Sequence, residues 1–304
     1  MVKLSVKELG KILSLSFSEF KRNEPLRLAG ATAFFTTFAL PPILIILVQV
    51  MGFLFSINNL SGKFFGHLAV LLGRKSATQI RSTFLGFTSL ADNWLMAIGG
   101  FLFLMFVATT LFKVIKDSIN QLWNVKPDRT KAFRQQLATR GISLIIILLG
   151  GVLFLGALMA EGLESFLHHY TGETHTEAAT FLSILLNQLI SVAIVGIWFS
   201  ILFKVLPDAV ATWKVVIAGG LFTAILFTIG KIIIRSMLSL GNLGNIFGAS
   251  SSFVLLLLFV FYTSFILYYG ACFTKVYASF TKEPIKAAPH AKKYKMVESK
   301  DEDA

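Results

Sequence analysis

The sequence predicts an all-α fold: a polytopic membrane protein built as a six-transmembrane-helix bundle with an N-terminal amphipathic helix. Three observations carry that prediction. Hydrophobic residues make up 55% of the 304-residue chain and charged residues only 14%, with 30 Phe and a mean hydropathy of +0.73, far from the balance of a soluble domain. From Ser236 to Thr274, 39 residues pass without an Asp, Glu, Lys or Arg. The core of that stretch, the 21 residues from Phe253 to Phe273, is long enough at about 1.5 Å of helical rise per residue to cross roughly 30 Å of hydrocarbon. Thirdly, Lys and Arg fall unevenly between alternate connections, with 22 on one predicted side and 6 on the other. That asymmetry places both termini in the cytoplasm and calls for an even number of spans.

The predicted organisation is a cytoplasmic amphipathic helix over 1–26, a membrane domain over 27–281 and a disordered cytoplasmic tail over 282–304. In the first segment Ser5 and Glu8 have capping-box spacing. Leu9, Ile12, Leu13, Phe17 and Phe20 fall on one helical face, and Lys7, Lys11, Ser14, Ser18 and Lys21 on the other. Two placements fit this pattern equally, on the membrane surface or packed under the bundle. No cleavable signal peptide is expected, because the first apolar run follows this charged segment without a cleavage pattern.

The six spans fall at about 28–55, 93–112, 141–160, 178–203, 215–234 and 249–274. The first carries Pro41 and Pro42, which remove backbone donors and predict a kink or a break; the kink could line a cavity or accommodate packing. Residues 63–92 mix Lys63, Arg74, Lys75 and Arg81 with Phe and Leu and read as short interfacial helices. The second span enters at Trp94 and continues out of the membrane through Lys113, Lys116, Asp117, Asn120 and Trp123 to Pro127, before a basic loop. The third leads through Glu161 and Glu164 into a loop holding His168, His169, Glu173 and His175, and the fourth carries Asn187 and Gln188. A turn at Pro207 and Asp208 precedes the fifth, which ends in Lys231 and Arg235, cations able to snorkel to an interface. The tail, rich in Lys, Pro and Glu, has little to bury. Glycine pairs at Gly99/Gly100, Gly150/Gly151 and Gly219/Gly220 read as points of close helix approach.

Four stretches carry a family resemblance: RLAGATAFFTTFALPPILIIL at 27–47, LFKVIKDSINQLWNVKP at 111–127, LPDAVATWKVVIAGGLFTAILFTIGK at 206–231 and FGASSSFVLLLLFVFYTSFILYYGACFTKVYA at 247–278. In these the chain resembles the YihY/BrkB family of bacterial inner-membrane proteins, formerly mislabelled ribonuclease BN. The resemblance implies a Pro-containing first span, an Asn120 and Trp123 pair after the second, a Leu-Pro-Asp turn at Pro207 and Asp208, and a Gly-Ala-rich entry at Gly248 to the last, all structural features. It also implies an inner-membrane location and links to envelope integrity. The chain departs from the family pattern at Phe265, where many members have a polar residue, and at Cys272, where many have Glu. A carboxylate inside the membrane is expensive and often functional, so its absence implies that this member does without it or has drifted in function.

Function is bounded more than named. Cys272 is the only cysteine, so neither an intrachain disulfide nor a thiolate metal centre is expected. The net charge of +12 fits basic loops facing anionic lipid better than a nucleic-acid interface. A metal-dependent nuclease needs clustered ligands around its substrate, whereas the three His that lie close in sequence sit on the loop predicted to face outward. Their spacing matches no zinc motif, so no catalytic residue, metal or cofactor is expected. No GxxxxGK[ST] loop occurs. Two classes remain. In the first, the bundle binds or translocates a lipid or other amphipathic substrate along a polar path through Asn187, Gln188, Lys231 and Arg235, with Glu161 and Glu164 at the outer boundary. In the second, it is a non-catalytic structural or partner-binding envelope protein. Membrane lipids are the expected partners, with a homo-oligomer or an envelope protein left open.

Overall fold

The computed structural model describes residues 5–55, 94–128, 140–153, 177–240 and 251–295, with isolated helical positions between 62 and 85. Its elements are α1 (Val6–Arg22), α2 (Pro25–Phe55), α3 (Trp94–Leu122), β1 (Val125–Pro127), α4 (Arg140–Leu153), α5 (Glu177–Val205), β2 (Ala209–Val210), α6 (Trp213–Leu240), α7 (Ser251–Phe280), β3 (Lys286–Ala287) and β4 (Ala291–Lys293). Among the described residues, three helices contain a stretch long and apolar enough to cross a membrane: Gln188–Val205 in α5, Trp213–Ile234 in α6 and Phe253–Phe280 in α7. Only 28%, 39% and 39% of these stretches is buried within the protein. The remainder, including Ile225, Ile229, Ile232 and Ile233 on α6, is apolar surface that water would penalise and acyl chains accept.

The longest uncharged stretch of the sequence supplies the hub. α7 packs against α1, α2, α3 and α6, while α2 packs on α3 and α5 on α6. Small residues make the α5–α6 and α6–α7 contacts close. A Cβ on Gly220 would stand 2.6 Å from the Gly196 carbonyl oxygen, and one on Gly219 would meet Thr274 Oγ1 at 1.9 Å. Gly150 lies against the Trp198 indole, whereas Gly99 has open space around its Cβ position. Among the described residues nothing opposes Gly99, and close approach needs an opposing helix as well as a small residue. Polar side chains inside the helices return their hydrogen bonds to the preceding turn, as Thr36 does to Thr32, Ser200 to Gly196, Ser264 to Val260 and Thr274 to Gly270.

One end of the bundle is closed by short β pairings. β1, after α3, pairs antiparallel with β4, matching Val125 to Lys293 and Pro127 to Ala291; β2, after α5, pairs antiparallel with β3, matching Ala209 to Ala287. The C-terminal ends of α3, α5 and α7 therefore lie together. α1 joins them, because Glu19 accepts a hydrogen bond from Lys275 near the end of α7.

One expectation needs correction and two are narrowed. Residues 282–295 are not a disordered tail: they form β3 and β4 and bury Ile285 and Ala288. Their composition hides this, because each strand is only two or three residues long and borrows its partner from a loop. Residues 296–304 lie outside the described residues. Secondly, of the kink or break expected at Pro41 and Pro42, the break is excluded, because α2 is continuous through both. Adjacent prolines forfeit only two intrahelical bonds, and tertiary packing on α3 and α7 holds the rest. Thirdly, of the two placements left open for α1, the apolar face serves both in part. Ile12 and Phe20 are buried, with Phe20 4.7 Å from Phe265 between ring centroids, while Leu9 and Phe17 are exposed. The helix packs on the bundle with one flank and leaves the other open. At its start the Ser5 backbone N–H donates to Glu8 at 2.7 Å, as the capping-box spacing implies.

Candidate functional site

The described polar residues converge at the closed end, around Asp208. The turn after α5 buries Leu206 and Asp208, the latter 5% exposed, and a buried carboxylate there must be paired or neutralised. Three side chains meet it. Lys116 Nζ of α3, itself 12% exposed, lies 2.8 Å from Oδ1. His290 Nε2 of the tail lies 2.8 Å from the same oxygen. Asn120, one turn beyond Lys116, donates through Nδ2 to Oδ2 at 2.9 Å and accepts the Asp208 backbone N–H through Oδ1 at 2.8 Å. The Asp208 carbonyl accepts the Ala288 N–H at 3.0 Å, seating the tail on the turn.

Burial taken alone would raise the Asp208 carboxyl. The hydrogen bonds from Lys116 and His290, the Lys116 charge and the Asn120 amide outweigh it and hold the group below its ordinary value. A second ionic contact lies close by. Lys275 Nζ donates to Glu19 of α1 and, at 2.8 Å, to Asn124 Oδ1 beyond α3. Trp123, fully buried, donates from Nε1 to the Ala271 carbonyl of α7 at 2.9 Å. Deeper in the bundle the Tyr268 hydroxyl meets those of Thr32 and Ser118, tying α7 to α2 and α3.

The residues expected from sequence are thus distributed unevenly. Asn120, Trp123 and Asp208 fall in one cluster, with Pro207 buried beside Asp208. Gln188 is exposed on α5 and Lys231 is half-buried on α6. Gly220 and Ser200 are neighbours across the antiparallel α5–α6 pair, as are Gly196 and Ala224. That register puts Gln188 level with the turn of α6 that holds Lys231. Asn187 and Arg235 belong to α5 and α6, and Pro41 and Pro42 to α2, but their side chains lie outside the described residues. So do Glu161, Glu164, Gly248 and the loop with His168, His169, Glu173 and His175. Sequence reasoning missed the partnership of Lys116 and His290 with Asp208, and that of Glu19 with Lys275. A lone Asp in an apolar turn was the available signal, since it demands a cation, but nothing in the spacing names which. Among the described residues no group of three His, Cys, Asp or Glu could hold a metal ion.

An exposed apolar helical belt closed at one end by a satisfied ionic cluster defines an α-helical integral membrane protein. The chain belongs to the Virulence factor BrkB family, whose model matches residues 16–295. It is similar to a UPF0761 membrane protein of Pseudomonas paraeruginosa, 25% identical over 250 residues that cover 80% of this chain and 57% of the relative. A UPF0761 membrane protein of Stenotrophomonas maltophilia is 22% identical over 264 residues, covering 85% of this chain and 58% of the relative. One of Nitrosospira multiformis is 25% identical over 214 residues, covering 70% and 47%. The chain spans about half the length of the curated relatives it matches. No solved structure matches it.

Proposed function

We propose that this protein is a six-span, non-catalytic component of the bacterial inner membrane that binds or translocates a lipid or other amphipathic molecule. Both termini and the closed end face the cytoplasm, and α1 lies amphipathically at that surface. The orientation rests on the distribution of Lys and Arg.

The observation that carries the lipid reading is Lys231. It lies 18 residues beyond Trp213, the first residue of the α6 membrane stretch, roughly 27 Å along the helix at about 1.5 Å per residue. It is flanked by exposed Ile229, Ile232 and Ile233, and no carboxylate pairs with it among the described residues. An ammonium at that depth, level with Gln188, suits an anionic headgroup. Mass spectrometry of protein extracted with its native lipid tests this. A stoichiometric lipid or envelope precursor, lost on Lys231→Glu, is expected; bulk lipid unchanged by that substitution would contradict the reading.

A second reading, a structural or partner-binding envelope protein, is favoured by one observation: among the described residues the polar groups around Asp208 are paired with one another. Under either reading purified protein leaves RNA intact. Metal-dependent cleavage abolished by a single substitution would overturn that.

A further inference from the structure

We propose that the turn joining α5 to α6, with the strand that covers it, is a docking surface for anionic phospholipid headgroups of the leaflet at the closed end. The surface is built from two antiparallel segments. β2 pairs with β3 so that Val210 faces Lys286. The pairing direction continues past the strands, where Thr212 donates to Glu283 and Lys214 Nζ lies 3.8 Å from the same carboxylate. Lys282, exposed and next to Glu283, stands in the turn that ends α7. Three ammonium groups, on Lys214, Lys282 and Lys286, are thus gathered along one ribbon, with Glu283 as the carboxylate among them.

The level of the ribbon follows from Trp213. This residue opens the α6 membrane stretch and is 54% exposed, and neighbouring Val210 is 52% exposed. An exposed indole at the mouth of a span belongs to the headgroup region. Lys204 fixes it there: its Nζ donates to the Ala211 carbonyl at 2.6 Å and sits 5.4 Å from the Trp213 ring centroid. Apolar side chains that can enter the interface therefore stand beside cations that cannot. That combination fits an anionic lipid surface, which attracts Lys close to the leaflet, better than an acidic protein, which would have no use for Val210 and Trp213 at lipid depth. The surface is remote from Lys231 along α6, and its existence does not depend on transport.

The test uses the full chain in nanodiscs containing phosphatidylcholine and phosphatidylglycerol, with one or the other brominated. Bromine quenches indole fluorescence on contact, and the Trp213 contribution is the part absent from Trp213→Phe. Quenching of that part by phosphatidylglycerol should exceed quenching by phosphatidylcholine on the order of fivefold. The excess should vanish in a Lys214→Gln/Lys282→Gln/Lys286→Gln variant and fall with added salt. A Lys126→Gln/Lys292→Gln/Lys293→Gln variant, altered on the other ribbon of the same end, should retain it. Equal quenching by the two lipids in the unaltered protein would overturn the proposal. So would equal loss in both triple variants, or occupation of the surface by an acidic protein that displaces lipid from Trp213.

Discussion

Asp208 holds three chain segments at once, because one buried carboxylate is shared by Lys116 of α3, Asn120 one turn on, and His290 of the tail. Replacing it with Asn keeps the shape but removes the carboxylate charge that the Lys116 ammonium faces at 2.8 Å. Breaking one partner of a buried pair costs about 3–5 kcal/mol. Thermal unfolding in detergent should show a loss of that order for Asp208→Asn, and Lys116→Met in the same chain should recover part of it, as coupled neighbours do. The pH dependence follows from the lowered carboxyl. A group depressed on folding stabilises the folded form above its unfolded value, and the benefit disappears as pH falls through the folded value. Tail docking should therefore be intact at neutral pH and lost at pH below the ordinary carboxylate range. Hydrogen exchange at Ala288 and Ala291, whose amides bond to Asp208 and Ala288, would report it. Sequence alone picked out Asn120 and Asp208 through a resemblance, but a contact spanning 88 residues has no local signal. His290 was invisible as a partner because its own segment looked unstructured.

Among the elements, α5, α6 and α7 were the most legible, since so apolar a helix of that length has few soluble explanations. Their packing was legible only in part. Gly219 and Gly220 mark real close approaches, yet no described residue lies within 4 Å of the Cβ position at Gly99, because glycine permits contact without specifying a partner. Gly220→Val should be destabilising by about 1–3 kcal/mol, as overpacking is, since its Cβ would press on the Gly196 carbonyl and the Ser200 backbone nitrogen. Gly99→Ala should be close to neutral. Thermal aggregation of the two variants in one detergent separates them. The four strands were illegible for a physical reason: a strand of two or three residues has no periodicity to read, and its stability comes from the loop it pairs with.

The whole molecule is a bundle whose helix ends at one end are stitched by the chain that follows α7. β1, β2 and α1 all meet that last segment or the end of α7, so connections far apart in sequence must lie on one side of the membrane. The count of Lys and Arg reaches the same grouping by an independent route. The most direct test is accessibility to a membrane-impermeant thiol reagent at Lys126→Cys, Lys214→Cys and Lys292→Cys, exposed positions on three different segments; buried Cys272 should stay unlabelled. All three should react in inside-out vesicles and none in right-side-out ones. Labelling of any one from the opposite side to the other two would contradict the shared end on which the account rests.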